Sequence, residues 1–137
     1  MKINLKEAIK FHGHLGPYLV LGLLAGETAL KKLKSKKYFG LKVSVWGANK
    51  KPKSCLVDGL QLSTGATYGK GNIHKYNSRI IKILFFDKNR NRRLTIALKK
   101  DLIFKLNTLK GHRDSEAFAK KLYNLKPLKV FDLQSIT

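Results

Sequence analysis

The first candidate site is a pair of histidines near the N-terminus, in the stretch FHGHLGP at residues 11–17. His12 and His14 are two positions apart, and in an extended or loop segment such residues point the same way. Both imidazoles could face one metal ion, and Cys55 is a soft ligand that suits the same ion. Two other interpretations stay open: a buried, hydrogen-bonded histidine pair and a Cys–His nucleophilic pair.

The second candidate is the glycine-rich stretch GATYGKG at residues 65–71. A P-loop has four residues between its first glycine and Gly-Lys, then Ser or Thr to reach magnesium. Here there are three, and Gly71 follows Lys70. The stretch therefore does not match a P-loop. Two interpretations remain: generic anion binding through backbone N–H groups and Lys70, or a tight turn that needs positive φ.

The segments around the histidines are predicted to be helical. Asn4 can cap a short helix that ends near His12 and Gly13. Pro17 suits the first position of a second helix, which we expect to run to about residue 34. Its first half is apolar nearly all round, which predicts burial, and Gly22 and Gly26 would let another element approach closely. The apolar run ends at Glu27, too short for the roughly 20 residues of a membrane span.

The rest of the chain alternates between strand and helix patterns. Strands are predicted at residues 41–47, 77–87, 92–99 and 128–134. Helices are predicted at 55–65, 99–110 and 116–125, the last capped by Asp114 or Ser115. The basic stretch 111–113, with His112, is predicted to be a surface loop. These elements favour one α+β domain over residues 1–137, with helices on a small mixed or mainly antiparallel sheet.

The charge is the most unusual bulk property, because 29 lysines and arginines face only 8 acidic residues, a net charge of +21. Such a surface attracts nucleic acid or another polyanion. No recognised nucleic-acid motif accompanies it, so a merely solvated basic surface is the alternative. One cysteine allows no intramolecular disulfide, and the polar N-terminus MKINLKEAIK has no signal-peptide core. We therefore expect a cytoplasmic protein.

Two stretches together resemble one known family. FHGHLGP is similar to the F-H-G-H-x-C-P-G opening of the FmdE-like family, which is named after the FmdE component of formylmethanofuran dehydrogenase. CLVDGLQLSTGATYGKGN, residues 55–72, resembles its second motif, C-x-x-D-A-I-Q-x-x-T-G-C-T-x-G-K-G-N. The matching residues of this second motif, in order, are Cys55, Asp58, Gln61, Thr64, Gly65, Thr67, Gly69, Lys70, Gly71 and Asn72.

The resemblance implies an FmdE-like α+β fold, usually dimeric, with a pocket that holds a metal, often zinc. It assigns His12, His14 and Cys55 as ligands for zinc or another divalent transition metal. Asp58 would orient a histidine or act as a fourth ligand. The other pocket residues that it implies are Gln61, Thr64 and Lys70. Gln61 and Thr64 would line the pocket or hydrogen-bond the glycine loop, and Lys70 would contact an anionic ligand or lie in solvent.

This chain departs from the family pattern at two cysteine positions, which are Gly16 and Ala66 here. No cysteine follows Cys55, so we expect the C-terminal zinc ribbon of many members to be missing. Two histidines and one thiolate could still hold zinc with an open fourth position, and His74 could compensate. The opposite hypothesis is a pocket that has lost its metal, with Gly16 and Ala66 leaving extra room, in a non-enzymatic module that binds nucleic acid or another polyanion. Whether the protein is an enzyme stays open.

Overall fold

The computed structural model describes residues 3–136 and contains helices packed on one five-stranded sheet. The α-helices are α1 (Leu5–His12), α2 (Pro17–Leu33), α3 (Cys55–Thr64), α4 (Lys100–Thr108) and α5 (Gly111–Tyr123). The strands are β1 (Lys42–Trp46), β2 (Ile73–Tyr76), β3 (Lys82–Asp87), β4 (Arg92–Leu98) and β5 (Phe131–Ile136). A short 3₁₀ helix, Pro127–Lys129, precedes β5. This architecture confirms the predicted α+β class.

The sheet has the order β2-β1-β3-β4-β5. The pair β1–β2 is parallel, and every other neighbouring pair is antiparallel. The sheet is therefore mixed and mainly antiparallel, as predicted. On one face, alternate residues such as Val43, Val45, Ile83 and Phe85 are fully buried against the helices. The opposite face alternates exposed and half-buried residues, the pattern of an antiparallel sheet with one solvated face.

The turn between α1 and α2 is set by local sequence. The Asn4 side chain accepts a hydrogen bond from the backbone N–H of Lys6 at 2.8 Å, which caps α1 as predicted. Gly13 ends the helix with φ of 106°, a left-handed conformation that favours glycine. Pro17 then starts α2, as predicted. His12 therefore closes one helix, and His14 lies in the short connection to the next.

Helix α2 is buried along most of its length by α3, α5 and the sheet, and α3 makes the most extensive contact with it. A methyl group at Gly22 would lie 2.8 Å from the Cα atom of Gly59. A methyl group at Gly26 would collide with the Ser63 side chain. The predicted close approach is confirmed, and the approaching element is α3 of the same chain.

Three segments differ from the sequence prediction. The strand predicted at 128–134 begins only at Phe131, because Pro127–Lys129 form a 3₁₀ helix. The strand predicted over residues 77–87 begins only at Lys82, and the separate strand β2 lies earlier, at Ile73–Tyr76. Its four residues form a strand because they pair in parallel with β1, a long-range contact that local pattern does not reveal. The predicted loop at 111–113 is the first turn of α5, so the predicted cap at Asp114 or Ser115 is wrong and Lys110 takes the N-cap position. Within residues 3–136, no helix is both long and apolar enough to cross a membrane, as predicted.

Candidate metal centre

Three side chains from separate elements meet where α1 ends and α3 begins. His12 is the last residue of α1, His14 follows the Gly13 turn, and Cys55 is the first residue of α3. The potential ligand atoms of these three residues all lie within 4.8 Å of one another. The two imidazole centroids are 4.7 Å apart, with their planes inclined by 38°. Zinc bonds of about 2.0–2.3 Å would require these side chains to move slightly closer together around one shared ion.

Asp58 holds the ring of His12 in a defined orientation. It lies one helical turn after Cys55, and its Oδ2 atom is 2.6 Å from Nδ1 of His12. A carboxylate at this distance accepts the Nδ1–H hydrogen bond, so the lone pair of the neutral ring is on Nε2. This arrangement is the usual support of a metal-bound histidine.

The Nε2 atom of His12 is buried and has no hydrogen-bond partner among the described residues. The His12 side chain is only 10% exposed. A buried polar atom without a partner costs roughly 1–3 kcal/mol, so native proteins rarely leave one unused. A metal ion at the shared position of Nε2, His14 and Cys55 would supply the missing partner, so the residues present fit a metal.

The environment changes the protonation of the other two residues. Burial lowers the pKa of His14, and the nearby charges of His12, His112 and Lys51 act in the same direction. Burial raises the pKa of the Cys55 thiol, and the Asp58 carboxylate adds to this effect while Lys51 opposes it. The metal-free site therefore holds a neutral imidazole, ready to bind, and a protonated thiol that a metal would have to deprotonate.

A cavity of about 250 Å³ opens beside His14 and Cys55. The residues that line it are His14, Leu15, Gly16, Pro17, Tyr18, Pro52, Cys55, Gly111, His112 and Ser115. His112, predicted to belong to a surface loop, is exposed and forms part of the wall because α5 begins at Gly111. The sequence did not predict that His112 lies at the cavity. The one feature that could have indicated it is that the chain has only four histidines.

Gly16, at one family cysteine position, borders the cluster directly. A Cβ atom at residue 16 would lie 3.6 Å from Nε2 of His14. A cysteine there could reach the same ion, and glycine leaves that space to the cavity.

Ala66, at the other family cysteine position, does not border the cluster. It lies two residues beyond the C-terminal end of α3, whereas Cys55 is the first residue of that helix. The helix rise separates the two positions by about 15 Å. The expectation that Ala66 leaves room in this pocket is therefore wrong.

The remaining predicted pocket residues lie at the far end of α3, around the glycine-rich loop. Gln61 Oε1 accepts a hydrogen bond from Tyr68 N at 3.2 Å. Thr64 Oγ1 accepts one from Ala66 N at 3.0 Å. Both side chains thus stabilise the loop, and the structure does not bring them to the histidine–cysteine cluster.

Lys70 and His74 also belong to this end of the molecule. Lys70 Nζ is 3.3 Å from Thr67 Oγ1, and its ammonium group lies 5.5 Å from the Phe39 ring centroid. The Nε2 atom of His74 is 3.1 Å from the Gly71 carbonyl oxygen. The turn interpretation of the loop fits its backbone, since Gly65 and Gly71 both have positive φ, 77° and 72°. His74, which could have compensated for a lost ligand, does not join the histidine–cysteine cluster.

Comparison with known proteins gives two results that agree with this architecture. A family model described as FmdE, molybdenum formylmethanofuran dehydrogenase operon, matches residues 11–132. The chain is similar to the crystal structure of a tungsten formylmethanofuran dehydrogenase FmdE-like protein from Syntrophus aciditrophicus, with a TM-score of 0.67 and 16% identity. The alignment covers 97% of this chain and 70% of that one. A search of curated proteins finds no match.

Proposed function

Because the chain belongs to the FmdE family, we propose that it binds one divalent transition metal ion, zinc by preference, through His12, His14 and Cys55. Two imidazoles and a thiolate are a ligand set that zinc commonly accepts. In this proposal Asp58 orients His12, and the metal takes the place of a hydrogen-bond partner at Nε2.

The observation that carries this proposal is the unpartnered Nε2 of His12. Its ring is held from the opposite side by Asp58 at 2.6 Å, so Nε2 has a fixed direction. In a merely structural histidine pair, the buried nitrogen would be satisfied by a protein group or an ordered water molecule. Here the neighbouring groups are another imidazole and a thiol, both of which are metal ligands.

Three protein ligands would leave zinc one further coordination position for a water molecule or another ligand. When bound in such a site, zinc acts as a Lewis acid and lowers the pKa of a bound water molecule. His12 and His14 would hold the ion through neutral nitrogen atoms, and Cys55 would hold it as a thiolate. Tyr18 and Ser115 line the cavity and offer hydroxyl groups to a molecule inside it.

Metal content measured by mass spectrometry on protein without a histidine tag tests the proposal. We expect about one ion per chain in the wild type, and nearly none in His12→Ala or Cys55→Ala. His74→Ala is the matched control, because it removes a histidine outside the cluster and should keep the ion. Wild-type protein without metal, and without uptake of zinc or cobalt on titration, would contradict the proposal.

We propose polyanion binding as a second candidate function, at the solvated face of the sheet. Trp46 stacks on Tyr76 with centroids 5.1 Å apart, and Lys82 Nζ lies 5.6 Å from the Trp46 centroid. Arg93 Cζ lies 4.4 Å from the centroid of Phe86. Single-stranded nucleic acid is bound by such combinations, because bases stack on rings while cations contact phosphates. The net charge of +21 adds long-range attraction.

Fluorescence gives a direct test of this second function, because Trp46 is the only tryptophan. Titration with a short oligo(dT) should quench its emission, and the affinity should fall steeply as salt rises. Tyr76→Ala should weaken binding about tenfold. Phe39→Ala removes an exposed ring that is not on this face, so it is the control. Equal losses in both variants, or unchanged emission, would argue against a stacking surface.

We also propose that the chain forms a homodimer, as the family resemblance implies. Gly22 and Gly26 give no support, because both are occupied by α3 of the same chain. The support comes from exposed aromatic rings beside the glycine-rich loop: Phe11, Tyr38, Phe39 and Tyr68 are each at least half exposed. Analytical ultracentrifugation should show twice the chain mass of 15.5 kDa. A single species at the chain mass would exclude the dimer.

A further inference from the structure

We propose that the cavity beside the cluster binds a small carboxylate, whose oxygen occupies the open metal position and accepts a hydrogen bond from the His112 imidazole. The inference rests on the proposed metal site and adds the class of ligand that the site takes. It also assigns a binding role to His112, which neither of the two sequence motifs contains.

The walls of the cavity place His112 and the metal ligands around the same space. His14 and Cys55 come from the α1–α2 connection and the start of α3, and His112 comes from the first turn of α5. Among the described residues, the group of ligand atoms within 4.8 Å contains His12, His14 and Cys55 but not His112. His112 therefore lines the same cavity as His14 and Cys55 without belonging to the group of metal-type ligand atoms, so a small molecule in this cavity could contact both.

The size of the cavity limits the ligand. A volume of about 250 Å³ lies below the roughly 300–1,000 Å³ that is typical of sites for drug-sized molecules. A water molecule takes about 30 Å³ of liquid, so the cavity corresponds to about eight waters and holds a ligand of a few non-hydrogen atoms together with several waters. Nucleotides and extended cofactors are too large.

The charges around the cavity favour an anion. None of the described residues that line it is acidic. The His112 imidazole lines the cavity, and Lys51 directly precedes Pro52, which forms part of its wall. The nearby carboxylate of Asp58 is already engaged by His12. A divalent ion would add further positive charge at the open position.

A planar carboxylate matches this arrangement better than a neutral carbonyl compound does. One carboxylate oxygen can bind the metal while the other accepts a hydrogen bond from the N–H group of a nearby imidazole. Hydrogen bonds to an ionised acceptor are about twice as strong as neutral ones. The hydroxyl of Ser115 lies one helical turn after His112 on α5 and lines the same wall, so it can contact the rest of the ligand.

The test uses cobalt(II) as a spectroscopic replacement for zinc and acetate as the probe, with the full chain kept under argon. Acetate should change the visible absorption of the cobalt protein, and its isosteric neutral analogue acetamide should not. In His112→Ala we expect acetate to bind about tenfold more weakly. The cobalt affinity of this variant should equal that of the wild type. His112→Gln keeps an N–H donor and should recover part of the acetate affinity.

The outcomes separate this inference from the metal proposal. If the wild type gives no cobalt spectrum, the proposed function fails, and the inference fails with it. If cobalt binds but acetate does not alter its spectrum, or binds equally well to His112→Ala, the inference alone is overturned. It is also overturned if His112→Ala loses cobalt as fully as His14→Ala, because His112 would then be a ligand. His74→Ala, distant from the cavity, should leave both affinities unchanged.

Discussion

Nδ1 of His12 lies 2.6 Å from Oδ2 of Asp58, although the two residues are 46 positions apart in the sequence. This contact joins the end of α1 to the first turn of α3 and directs the free ring nitrogen toward His14 and Cys55. The carboxylate therefore links the two sequence motifs and prepares the candidate metal site before any ion is bound.

Replacing Asp58 with alanine should weaken metal binding about 10- to 100-fold, because His12 would lose its fixed orientation and tautomer. Asp58→Asn should lose less, since its amide oxygen can still accept the Nδ1–H bond. Competition with a chromogenic chelator measures both affinities. Asp132→Asn breaks a surface ion pair with Lys99 and serves as the control. Equal affinity in Asp58→Ala and the wild type would show that His12 needs no orienting partner.

Metal binding should release a proton from Cys55 at neutral pH. Burial holds the pKa of this thiol above its ordinary value, so the thiol is protonated at pH 7 and the metal displaces its proton. The pKa of His14 is lowered, mainly by burial, so this ring is neutral at pH 7 and releases none. The apparent affinity should therefore rise about tenfold per pH unit near neutrality. Calorimetry in buffers of different ionisation enthalpy counts the protons, and a count near zero would contradict a thiolate ligand.

Gly59→Ala should destabilise the fold, because α2 and α3 touch at this residue. The added methyl group would lie 2.8 Å from the Cα atom of Gly22, in backbone that cannot move aside cheaply. Overpacking of this kind costs about 1–3 kcal/mol, and the better helix propensity of alanine offsets up to about 1 kcal/mol. We expect a net loss of about 1–2 kcal/mol in urea unfolding.

The matched control for this substitution is Gly69→Ala. An added Cβ there has its nearest neighbour, Thr67 Oγ1, at an ordinary 3.8 Å. Its stability should stay within about 0.5 kcal/mol of the wild type. If Gly59→Ala were equally neutral, the close helix contact would not limit the residue at this position.

Asp87 should make the fold sensitive to acid. Its side chain is 3% exposed, and burial by itself would raise its pKa. The hydrogen bonds from Ser35 Oγ at 2.6 Å and from the backbone N–H of Arg90 outweigh burial, with help from the Arg90 charge, and the net pKa is lowered. A folded pKa below the unfolded one means that the carboxylate stabilises the fold above the unfolded pKa. This stabilisation is lost as the pH falls through the folded pKa.

Asp87→Asn should therefore lower the free energy of unfolding at pH 7 by about 1–3 kcal/mol. The difference from the wild type should shrink as the medium is acidified below the ordinary carboxyl range. Urea titrations at several pH values measure this convergence. Asp101→Asn, at an exposed position in α4, should show a constant and small effect. A difference that does not change with pH would contradict the role assigned to the Asp87 carboxylate.

Local sequence predicted the elements whose signals lie within a few residues. The Asn4 cap, Pro17 at the start of α2 and the alternating pattern of β1 depend on short-range stereochemistry, and the structure agrees with each. The strand β2 and the first turn of α5 were not predicted. The pairing of β2 with β1 and the packing of α5 against α2 are distant contacts that local pattern does not encode.

The sequence by itself determined the α+β class through its periodicity, and the residue types that can bind a metal. Its resemblance to two family motifs indicated the family. Only the tertiary structure decided which of these residues meet. In the folded chain, Asp58 hydrogen-bonds to His12, and His112 lines the cavity wall. Gln61, Thr64 and Lys70 lie at the far end of α3. The physical reason is that α3 is a rigid rod of ten residues, so one continuous motif is divided between two sites about 15 Å apart.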